Sequence, residues 1–563
     1  MNNQKKRPVK DHQSAALFTL FITFTIGSAI AANALIKTKG HWATSSGTVT
    51  TIPTTTTTST PTTTTTSTTT TTQPTTTTGV PVTQLGINLT QPTYFSPQRS
   101  FSNLLIGSSW YYTSATSGWA NMPADHLDAD QVVTYLDTGE RAIRILTVPN
   151  GIYAGTPVQI RCSFVGSGTI DIGNTTITGI SRSGNSLTFT WTPPSSWVPS
   201  TQIKPAFLSI TRTDPSNPVR KVDCREASAS PTALFDPAFV QEVSKYKVAR
   251  FMKWQEVEAN KSVTWATRAR ASGELLRGPD GVPLEIMVAL ANQSNIDPWF
   301  AMPWNADEEY VRNFATYVRD NLSPTHKVYV EMSNEVWNMF YPVATQARNE
   351  GVAAGLSADP FVAQLFRYSQ KTAWALKIWT DVFAAEPDRL VRVTAGMNQS
   401  AWVNGMILKY GDTAAYTDAF ATAPYFGDGL LNGTNATATI ADTDQLFSQL
   451  STKLATTISE TQANADLVRS YGKRFITYEG GQHVVSSTNV TMVGVLNRDP
   501  RMGQLYTQFL TQWQQQFGDL NTLFADAAFI TQYGAWGLQE YPGQPASNAP
   551  KYAAVMNFKA TLP

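Results

Sequence analysis

The sequence predicts an α/β fold, a closed (β/α)8 barrel of the TIM type with a β-sandwich domain inserted after its first strand. Three observations predict it. Short apolar runs alternate with longer amphipathic segments eight times, polar residues follow these runs, and the stretch 108–228 instead shows short strand-like runs between turn residues. An open doubly wound sheet is the alternative, but it predicts a glycine-rich phosphate loop after the first strand, which this sequence lacks.

The alternating part supplies eight candidate barrel strands. They are residues 84–89, 247–254, 299–304, 327–333, 389–396, 419–425, 474–480 and 529–538. Segments of helical spacing, such as 236–246 and 502–517, lie between them. Strands that alternate with helices form parallel sheets, and eight such units close into a barrel. Residues 84–107 are therefore assigned to the first part of the barrel and 229–563 to its remainder.

The interrupting stretch, residues 108–228, is predicted to be a β-sandwich domain because its short strands are separated regularly by Gly, Pro, Ser and Asn. It follows the first barrel strand, so it occupies a β-to-α loop, and such loops lie on the catalytic face. A separate domain without contact to the site is the alternative. Both cysteines, Cys162 and Cys224, fall within it, which predicts one disulfide; two unrelated buried thiols are the alternative.

The N-terminal residues have the pattern of an export signal. Residues 1–14 are basic, and residues 15–36 contain no charge and are long enough to span a bilayer. A retained signal-anchor and a cleaved signal peptide both fit this pattern. Residues 37–83 are rich in Thr and predict an extended linker or stalk. The chain is therefore expected at the cell surface or outside the cell, as a single-pass type II membrane protein if the segment stays uncleaved.

Composition narrows the class of partner. The net charge of +1, with Lys and Arg scattered along the chain, excludes a basic footprint for nucleic acid. Aromatic residues make up 11% of the chain, and many of its 15 Trp stand beside Asn, Gly, Pro or Ser, which suits stacking on sugar rings. The five His are spread out without an H-E-x-x-H motif, so no metal or cofactor is expected. A carbohydrate substrate and a monomeric, glycosylated chain are expected.

Two glutamates follow predicted barrel strands. The run "VYVEMSNEVWN" ends in Asn334-Glu335, and the run "RFITYEGG" ends in Glu479. Functional side chains of a barrel lie at the carboxyl ends of its strands, and strands four and seven face each other across it. Glycoside hydrolysis needs two carboxylates, one to protonate the leaving oxygen and one to attack the anomeric carbon or activate water. The pair predicts a sugar-cleaving site, although Asn334 alone could be a helix N-cap.

On these motifs the sequence resembles the clan A glycoside hydrolases, which are retaining enzymes on (β/α)8 barrels. The resemblance implies that Glu335 is the acid/base, Glu479 the nucleophile and Asn334 a ligand of the sugar 2-hydroxyl. The strand-two Arg of the clan corresponds to Arg250, and the strand-six Tyr of the clan corresponds to Tyr425. Within this clan, the sequence resembles the family-5-like, endo-glucanase type most.

Further residues complete the predicted site. The strand-eight Trp of the clan corresponds to Trp536, and Ala423 stands where family-5 enzymes often carry a His. Trp337, His483 and Trp110 are additional candidates for binding substrate. Together these residues predict a retaining β-glycosidase that acts on a polysaccharide or oligosaccharide. A non-catalytic surface protein for carbohydrate binding or adhesion, and a wall-remodelling transglycosylase, are the alternatives.

Overall fold

The computed structural model describes five ranges of the chain: residues 80–149, 155–173, 176–192, 205–271 and 281–563. The predicted basic segment, the signal-anchor or signal peptide and the linker up to residue 79 lie outside the described residues. Within the five ranges, no helix combines the length and the apolar character needed to cross a bilayer.

The centre of the fold is an eight-stranded parallel sheet. Its strands are β1 (Gln84–Asn88), β2 (Val248–Arg250), β3 (Asp297–Met302), β4 (Val328–Met332), β5 (Leu390–Ala395), β6 (Ala419–Thr422), β7 (Arg474–Thr477) and β8 (Leu520–Leu523). The order is β7-β6-β5-β4-β3-β2-β1-β8, and every neighbouring pair is parallel. Almost every residue of these strands is buried, as expected for a sheet covered on both faces.

The two end strands of this sheet meet, so the sheet is a nearly closed barrel. The hydroxyl of Thr477 in β7 accepts a hydrogen bond from the Thr522 amide of β8 at 2.6 Å. Just beyond both strands, the Phe524 amide donates to the Gly480 carbonyl at 3.1 Å. A Thr hydroxyl thus takes the place of part of the main-chain ladder between β7 and β8. The predicted barrel-like parallel architecture is confirmed.

The eighth strand is not where the sequence pattern placed it. The prediction was 529–538, but the strand is β8, and residues 529–538 contribute only an isolated bridge, Thr531 with Gly534. The reason is the composition of β8, Leu520-Asn521-Thr522-Leu523, whose two polar residues break the apolar run. Both are fully buried, and Gly86 of β1 makes room for Thr522, because a Cβ at Gly86 would lie 2.5 Å from the Thr522 hydroxyl.

Helices alternate with the strands around the sheet. They are α1 (Pro237–Val243), α2 (Leu284–Ser294), α3 (Glu308–Asn321), α4 (Pro342–Ala353), α5 (Pro360–Val382), α6 (Ala401–Leu408), α7 (Thr443–Ser470), α8 (Val490–Arg498), α9 (Pro500–Gln516) and α10 (Pro550–Lys559). Several begin at an N-cap side chain that accepts backbone N–H bonds, as at Asp236, Asp307, Asp359, Ser400 and Asp499. Their apolar faces cover the outside of the barrel in one large core.

Two antiparallel sheets lie in the chain between β1 and α1. One has the order Arg220–Glu226, Val158–Val165, Ser186–Trp191, Ile177–Ser183. The other has the order Ala120–Asn121, Tyr111–Thr113, Arg141–Ile145, Phe207–Thr213, Gly168–Gly173. Alternate residues of both sheets, such as Phe189 and Trp191 of the first and Leu208 and Ile210 of the second, share one apolar core. This core is separate from the core of the barrel.

The predicted disulfide between Cys162 and Cys224 is present. The two residues face each other on neighbouring antiparallel strands, with their Cα atoms 4.0 Å apart. Both are fully buried, and the bridge closes a sequence separation of 62 residues.

Removing this bridge is expected to lower stability. The double variant Cys162→Ala/Cys224→Ala should lose about 2–4 kcal/mol of unfolding free energy, because the bridge restricts the unfolded chain over a long loop. Denaturant unfolding followed by Trp fluorescence measures the loss. A reducing agent should shift the wild type toward the variant and leave the variant unchanged; equal midpoints for oxidised wild type and variant would contradict this expectation.

Candidate active site

The structure brings five residues of the predicted site together at the carboxyl end of the barrel. Arg250 is the last residue of β2, Asn334 and Glu335 follow β4, Tyr425 follows β6 and Glu479 follows β7. Parallel strands present their carboxyl ends at one face of the barrel, so residues far apart in sequence converge there.

Arg250 is the centre of this cluster. Its side chain is fully buried and lies over the Trp299 and Tyr478 rings, 5.8 and 5.1 Å from their centroids. Its Nη1 donates to Oε1 of Glu479 at 2.8 Å, and its Nη2 donates to Oδ1 of Asn334 at 2.9 Å. Its Nε donates to Oε1 of Glu331 at 2.7 Å. One guanidinium therefore orients residues of two strands, β4 and β7, as a planar fork of five donors can.

Glu479 is held by a donor on each of its oxygens. Oε1 accepts from Arg250, and Oε2 accepts from the Tyr425 hydroxyl at 2.9 Å. The main chain explains how Tyr425 reaches it. Beyond β6 and β7, Tyr425–Phe426 pairs in parallel with Gly481–Gln482, which extends the sheet past the glutamate. Gly481 has φ +126°, and a Cβ there would lie 2.6 Å from the hydroxyl oxygen of Tyr506, so this turn requires glycine.

Glu335 is aimed into the site by an unusual backbone. Its φ is +44°, and that of Ser333, two residues earlier, is +59°, both in the left-handed region that non-glycine residues rarely adopt. The Tyr478 hydroxyl donates to Oε1 of Glu335 at 2.9 Å, and Nδ2 of Asn338 donates to Oε2 at 2.8 Å. The carboxyl group is therefore fixed from two directions while the residue stays partly exposed.

The two glutamates differ in their electrostatic surroundings. Burial, and then the charge of Glu479, raise the pKa of Glu335 to about 7, against the opposing hydrogen bonds from Asn338 and Tyr478. Burial also raises the pKa of Glu479, but there Arg250 and Tyr425 favour the charged form. Arg250 contacts Glu479, and among the described residues no cation contacts Glu335, so Glu479 is favoured as the carboxylate and Glu335 as the holder of the proton.

Three residues of this network were not among the predicted site residues. Glu331, a residue of β4 itself, forms an ion pair with Arg250, with N–O distances of 2.6 and 2.7 Å. Asn88, the last residue of β1, accepts from Arg250 at 3.1 Å and donates to the Tyr478 carbonyl at 2.9 Å. The third is Tyr478, which contacts Glu335. Asn88 and Glu331 had a sequence signal, because each is a polar residue within an otherwise apolar strand.

Replacing Arg250 is expected to destabilise the fold strongly. Arg250→Met leaves Glu331 and Glu479 buried without their cation, and loss of one partner of a buried ion pair costs about 3–5 kcal/mol. Arg474 is the matched control, because it makes two hydrogen bonds to Asp519 of 2.9 and 2.7 Å but its side chain is 39% exposed. Arg474→Met should cost about 1 kcal/mol or less in denaturant unfolding. Equal losses for the two variants would contradict the assigned burial of the Arg250 network.

Trp536 and His483 lie beside the cluster. Although Trp536 does not end a barrel strand, its Nε1 donates to Nδ1 of His483 at 3.4 Å. The His483 ring lies 5.3 Å from the Tyr425 ring and 5.5 Å from Trp536, between centroids. Phe524, the residue after β8, packs edge-on against Trp536 at 6.1 Å. The chain beyond β8 therefore brings Trp536 back to the site. With the correct eighth strand, the residue predicted at its carboxyl end would have been Phe524.

The two remaining candidates have different positions. Trp337 follows Glu335 by two residues and is half-buried against the large barrel core. Trp110 is 4% exposed in the core of the two antiparallel sheets. Its Nε1 donates to the Gln131 carbonyl at 2.9 Å, and the Arg144 guanidinium lies 5.2 Å from its ring centroid. The structure does not bring Trp110 to the cluster around Arg250, and its environment is that of a core residue.

The described part of the chain contains no group of three His, Cys, Asp or Glu side chains placed to hold a metal ion. The chemistry available at this face is that of carboxylates, a guanidinium, phenols and amides.

Comparison with known proteins finds likeness in fold only. No protein-family model matches the chain, and no curated protein matches it. Among solved structures it is similar to a 4-O-α-L-rhamnosyl-β-D-glucuronidase from Fusarium oxysporum 12S, with a TM-score of 0.36 and 12% identity over 58% of this chain and 65% of that one. The chain thus spans slightly less than two thirds of that enzyme.

Two further structures are similar. An endo-1,4-β-D-xylanase 10B from Clostridium thermocellum has a TM-score of 0.33 and 10% identity over 82% of this chain and 97% of that one. A β-glucosidase from Thermotoga maritima has a TM-score of 0.33 and 12% identity over 57% of this chain and 85% of that one. These neighbours are glycoside hydrolases, but at such identities and scores the likeness assigns neither a substrate nor a catalytic residue.

Proposed function

We propose that this chain is a retaining glycoside hydrolase that cleaves β-glycosidic bonds of a polysaccharide or oligosaccharide. The observation that carries the proposal is the pair of glutamates at the ends of β4 and β7, whose surroundings differ. Glu479 contacts a guanidinium and a phenol, whereas Glu335 has its pKa raised to about 7 and contacts no cation of the part of the chain that the structure describes. Two carboxyl groups whose environments separate their protonation states can serve as the acid/base and the nucleophile of a double displacement.

In the first step, Glu479 attacks the anomeric carbon and forms a glycosyl ester. As the glycosidic carbon–oxygen bond breaks, Glu335 gives its proton to the leaving oxygen, so the departing group leaves as an alcohol. In the second step, Glu335, now ionised, takes a proton from water. As this proton is transferred, the water oxygen bonds to the anomeric carbon, the ester bond to Glu479 breaks, and the Glu479 carboxylate is released with net retention of configuration.

The neighbouring residues serve these two steps. Arg250 and Tyr425 hold both oxygens of Glu479, which fixes the direction of attack and stabilises the carboxylate as leaving group in the second step. Asn334, oriented by Arg250, places its amide toward the sugar beside the reacting bond. Trp536, kept in place by His483, offers an aromatic face to the sugar ring.

The domain formed by residues 108–228 and the location of the protein are also proposals. We propose that residues 108–228 form an inserted β-sandwich domain, supported by the two antiparallel sheets and their separate core. We also propose that the enzyme works at the cell surface or outside the cell. The disulfide between Cys162 and Cys224 supports this location, because structural disulfides persist in oxidising compartments.

A substrate panel tests the proposed activity. The full chain is incubated with soluble β-linked polysaccharides and with 4-nitrophenyl β-glycosides, and reducing ends or nitrophenol are measured. The control is the double variant Glu335→Gln/Glu479→Gln prepared in the same way. Turnover by the wild type alone supports the proposal. Saccharide binding without turnover by the wild type would contradict it and support a binding protein.

A further inference from the structure

A third carboxylate, Glu258, lies at the edge of the catalytic network. Nδ2 of Asn334 donates to Oε1 of Glu258 at 3.3 Å, while Oε2 of Glu258 forms an ion pair with Nζ of Lys253. The side chains of Lys253 and Glu258 are 31% and 21% exposed, in contrast to the fully buried Arg250. The network that starts at Arg250 therefore reaches solvent at this pair, on the side of Asn334 away from the guanidinium.

The main chain holds Glu258 in a fixed place. The residue lies in a short 3-10 turn, Val257–Ala259, flanked by Glu256 with φ +55° and Asn260 with φ +51°. Nδ2 of Asn260 donates to Gln346 of α4 at 2.8 Å, and Nδ2 of Asn305 donates to the Asn260 carbonyl at 3.0 Å. Two left-handed residues, one of them anchored to α4 and to Asn305, are a costly arrangement for a carboxylate that only faced solvent.

Asn334 and Glu258 present a hydrogen-bond donor and an acceptor side by side. The Asn334 carbonyl oxygen is used by Arg250, so the group that remains for a ligand is the amide nitrogen, which faces Glu258. A sugar hydroxyl placed there can accept a hydrogen bond from Asn334 and donate one to Glu258. The hydroxyl nearest the carbon that Glu479 attacks is the one on C2.

We propose that Glu258 is a specificity-determining residue that accepts a hydrogen bond from the 2-hydroxyl of the sugar whose glycosidic bond is cleaved, with Lys253 as its positioning residue. This inference rests on the proposed glycosidase function. It assigns the substrate class as β-glycosides with a free 2-hydroxyl. A 2-deoxy sugar lacks the hydroxyl that would donate to Glu258.

Charge effects at the two catalytic glutamates must be separated from this contact. The charge of Glu258 contributes to the raised pKa of both Glu335 and Glu479, and Lys253 opposes it at Glu479. Removing either charge changes the reactivity of the catalytic pair toward every substrate. A hydrogen bond to the 2-hydroxyl, in contrast, exists only for substrates that carry that hydroxyl.

The ratio of kcat/KM for a 2-hydroxy substrate to that for its 2-deoxy analogue therefore measures the proposed contact. The substrates are the 4-nitrophenyl β-glycoside that the wild type hydrolyses fastest and its 2-deoxy counterpart, each corrected for spontaneous hydrolysis. Glu258→Gln should lower the ratio about 5- to 10-fold, because the glutamine oxygen can still accept the hydrogen bond but without the charge that strengthens it. Lys253→Met should lower the ratio in the same direction, and the double variant should fall no further than Glu258→Gln.

The matched control is Glu256→Gln. This neighbouring carboxylate bonds Nε2 of Gln91 instead of Asn334, so the ratio should stay at the wild-type value. Equal losses on both substrates in Glu258→Gln, or no loss on either, would overturn the role of Glu258 and leave the proposed glycosidase function intact. A wild type that turns over neither polysaccharides nor aryl glycosides would overturn both.

Discussion

Replacing Glu479 with glycine is expected to lower kcat by at least about 10⁴-fold on any substrate the wild type hydrolyses. The variant lacks the group that attacks the anomeric carbon, and removing a catalytic nucleophile commonly costs this much or more. Arg250 and Tyr425 keep their other contacts, so the fold should persist. Initial rates with a 4-nitrophenyl β-glycoside measure the loss.

Azide provides the matching rescue experiment. In Glu479→Gly the small anion can occupy the space of the lost carboxylate and attack the face opposite the leaving group, which yields an α-glycosyl azide. In Glu335→Gly azide can only attack the glycosyl-enzyme, which yields a β-glycosyl azide. The anomeric configuration of each product is read by NMR. The opposite assignment of α and β products would exchange the roles of the two glutamates.

Replacing Glu335 with glutamine is expected to lower kcat by about 10²–10⁴-fold for substrates with poor leaving groups, because general acid–base catalysis contributes about that much. A 2,4-dinitrophenyl glycoside needs little proton assistance in the first step, so its glycosylation step should change far less. The pH profile gives a second check. Wild-type activity should fall as pH rises through about 7, where Glu335 loses its proton, and this limb should be absent in the variant.

The raised pKa of Glu335 also predicts that folding stability depends on pH, which can be measured without a substrate. Because the folded-state pKa of Glu335 is about 7 and its ordinary value is 4.5, the folded protein binds the proton more tightly than the unfolded chain. Wild-type stability therefore falls between pH 4.5 and pH 7, by about 2 kcal/mol from this group after allowance for its partial exposure. The stability of Glu335→Gln relative to the wild type should rise by that amount between pH 4 and pH 8. A difference that does not change with pH would contradict the raised pKa.

The barrel was predictable because its strands and helices alternate, and the prediction failed where that signal was weak. Seven of the eight predicted strands overlap the observed ones. The eighth is short and carries Asn521 and Thr522, so its apolar pattern is poor, while the aromatic stretch 529–538 resembles a strand more closely. Burial of Thr522 against Gly86 is a tertiary contact, and a single sequence does not specify it.

The catalytic pair could be predicted because both glutamates follow apolar strands, but the network around them could not. Glu331 was predicted only as a strand residue, and in the structure it lies in that strand but also forms an ion pair with Arg250. The left-handed backbone at Ser333 and Glu335 could not be predicted, because neither position is a glycine. The contact of Glu258 with Asn334 depends on a turn whose anchors lie on other elements.

Trapping the covalent intermediate tests the central assignment most directly. The full chain is incubated with a 2-deoxy-2-fluoro β-glycosyl fluoride of the sugar preferred in the panel, then analysed by intact mass and peptide mapping. The fluorine slows both steps, and the fluoride leaving group keeps the first step the faster one. One glycosyl unit per chain, attached to Glu479 and released by turnover with an acceptor sugar, is the predicted result. Hydrolysis of the panel substrate without any label, or a label on Glu335 or Glu331, would contradict the assignment of Glu479 as nucleophile.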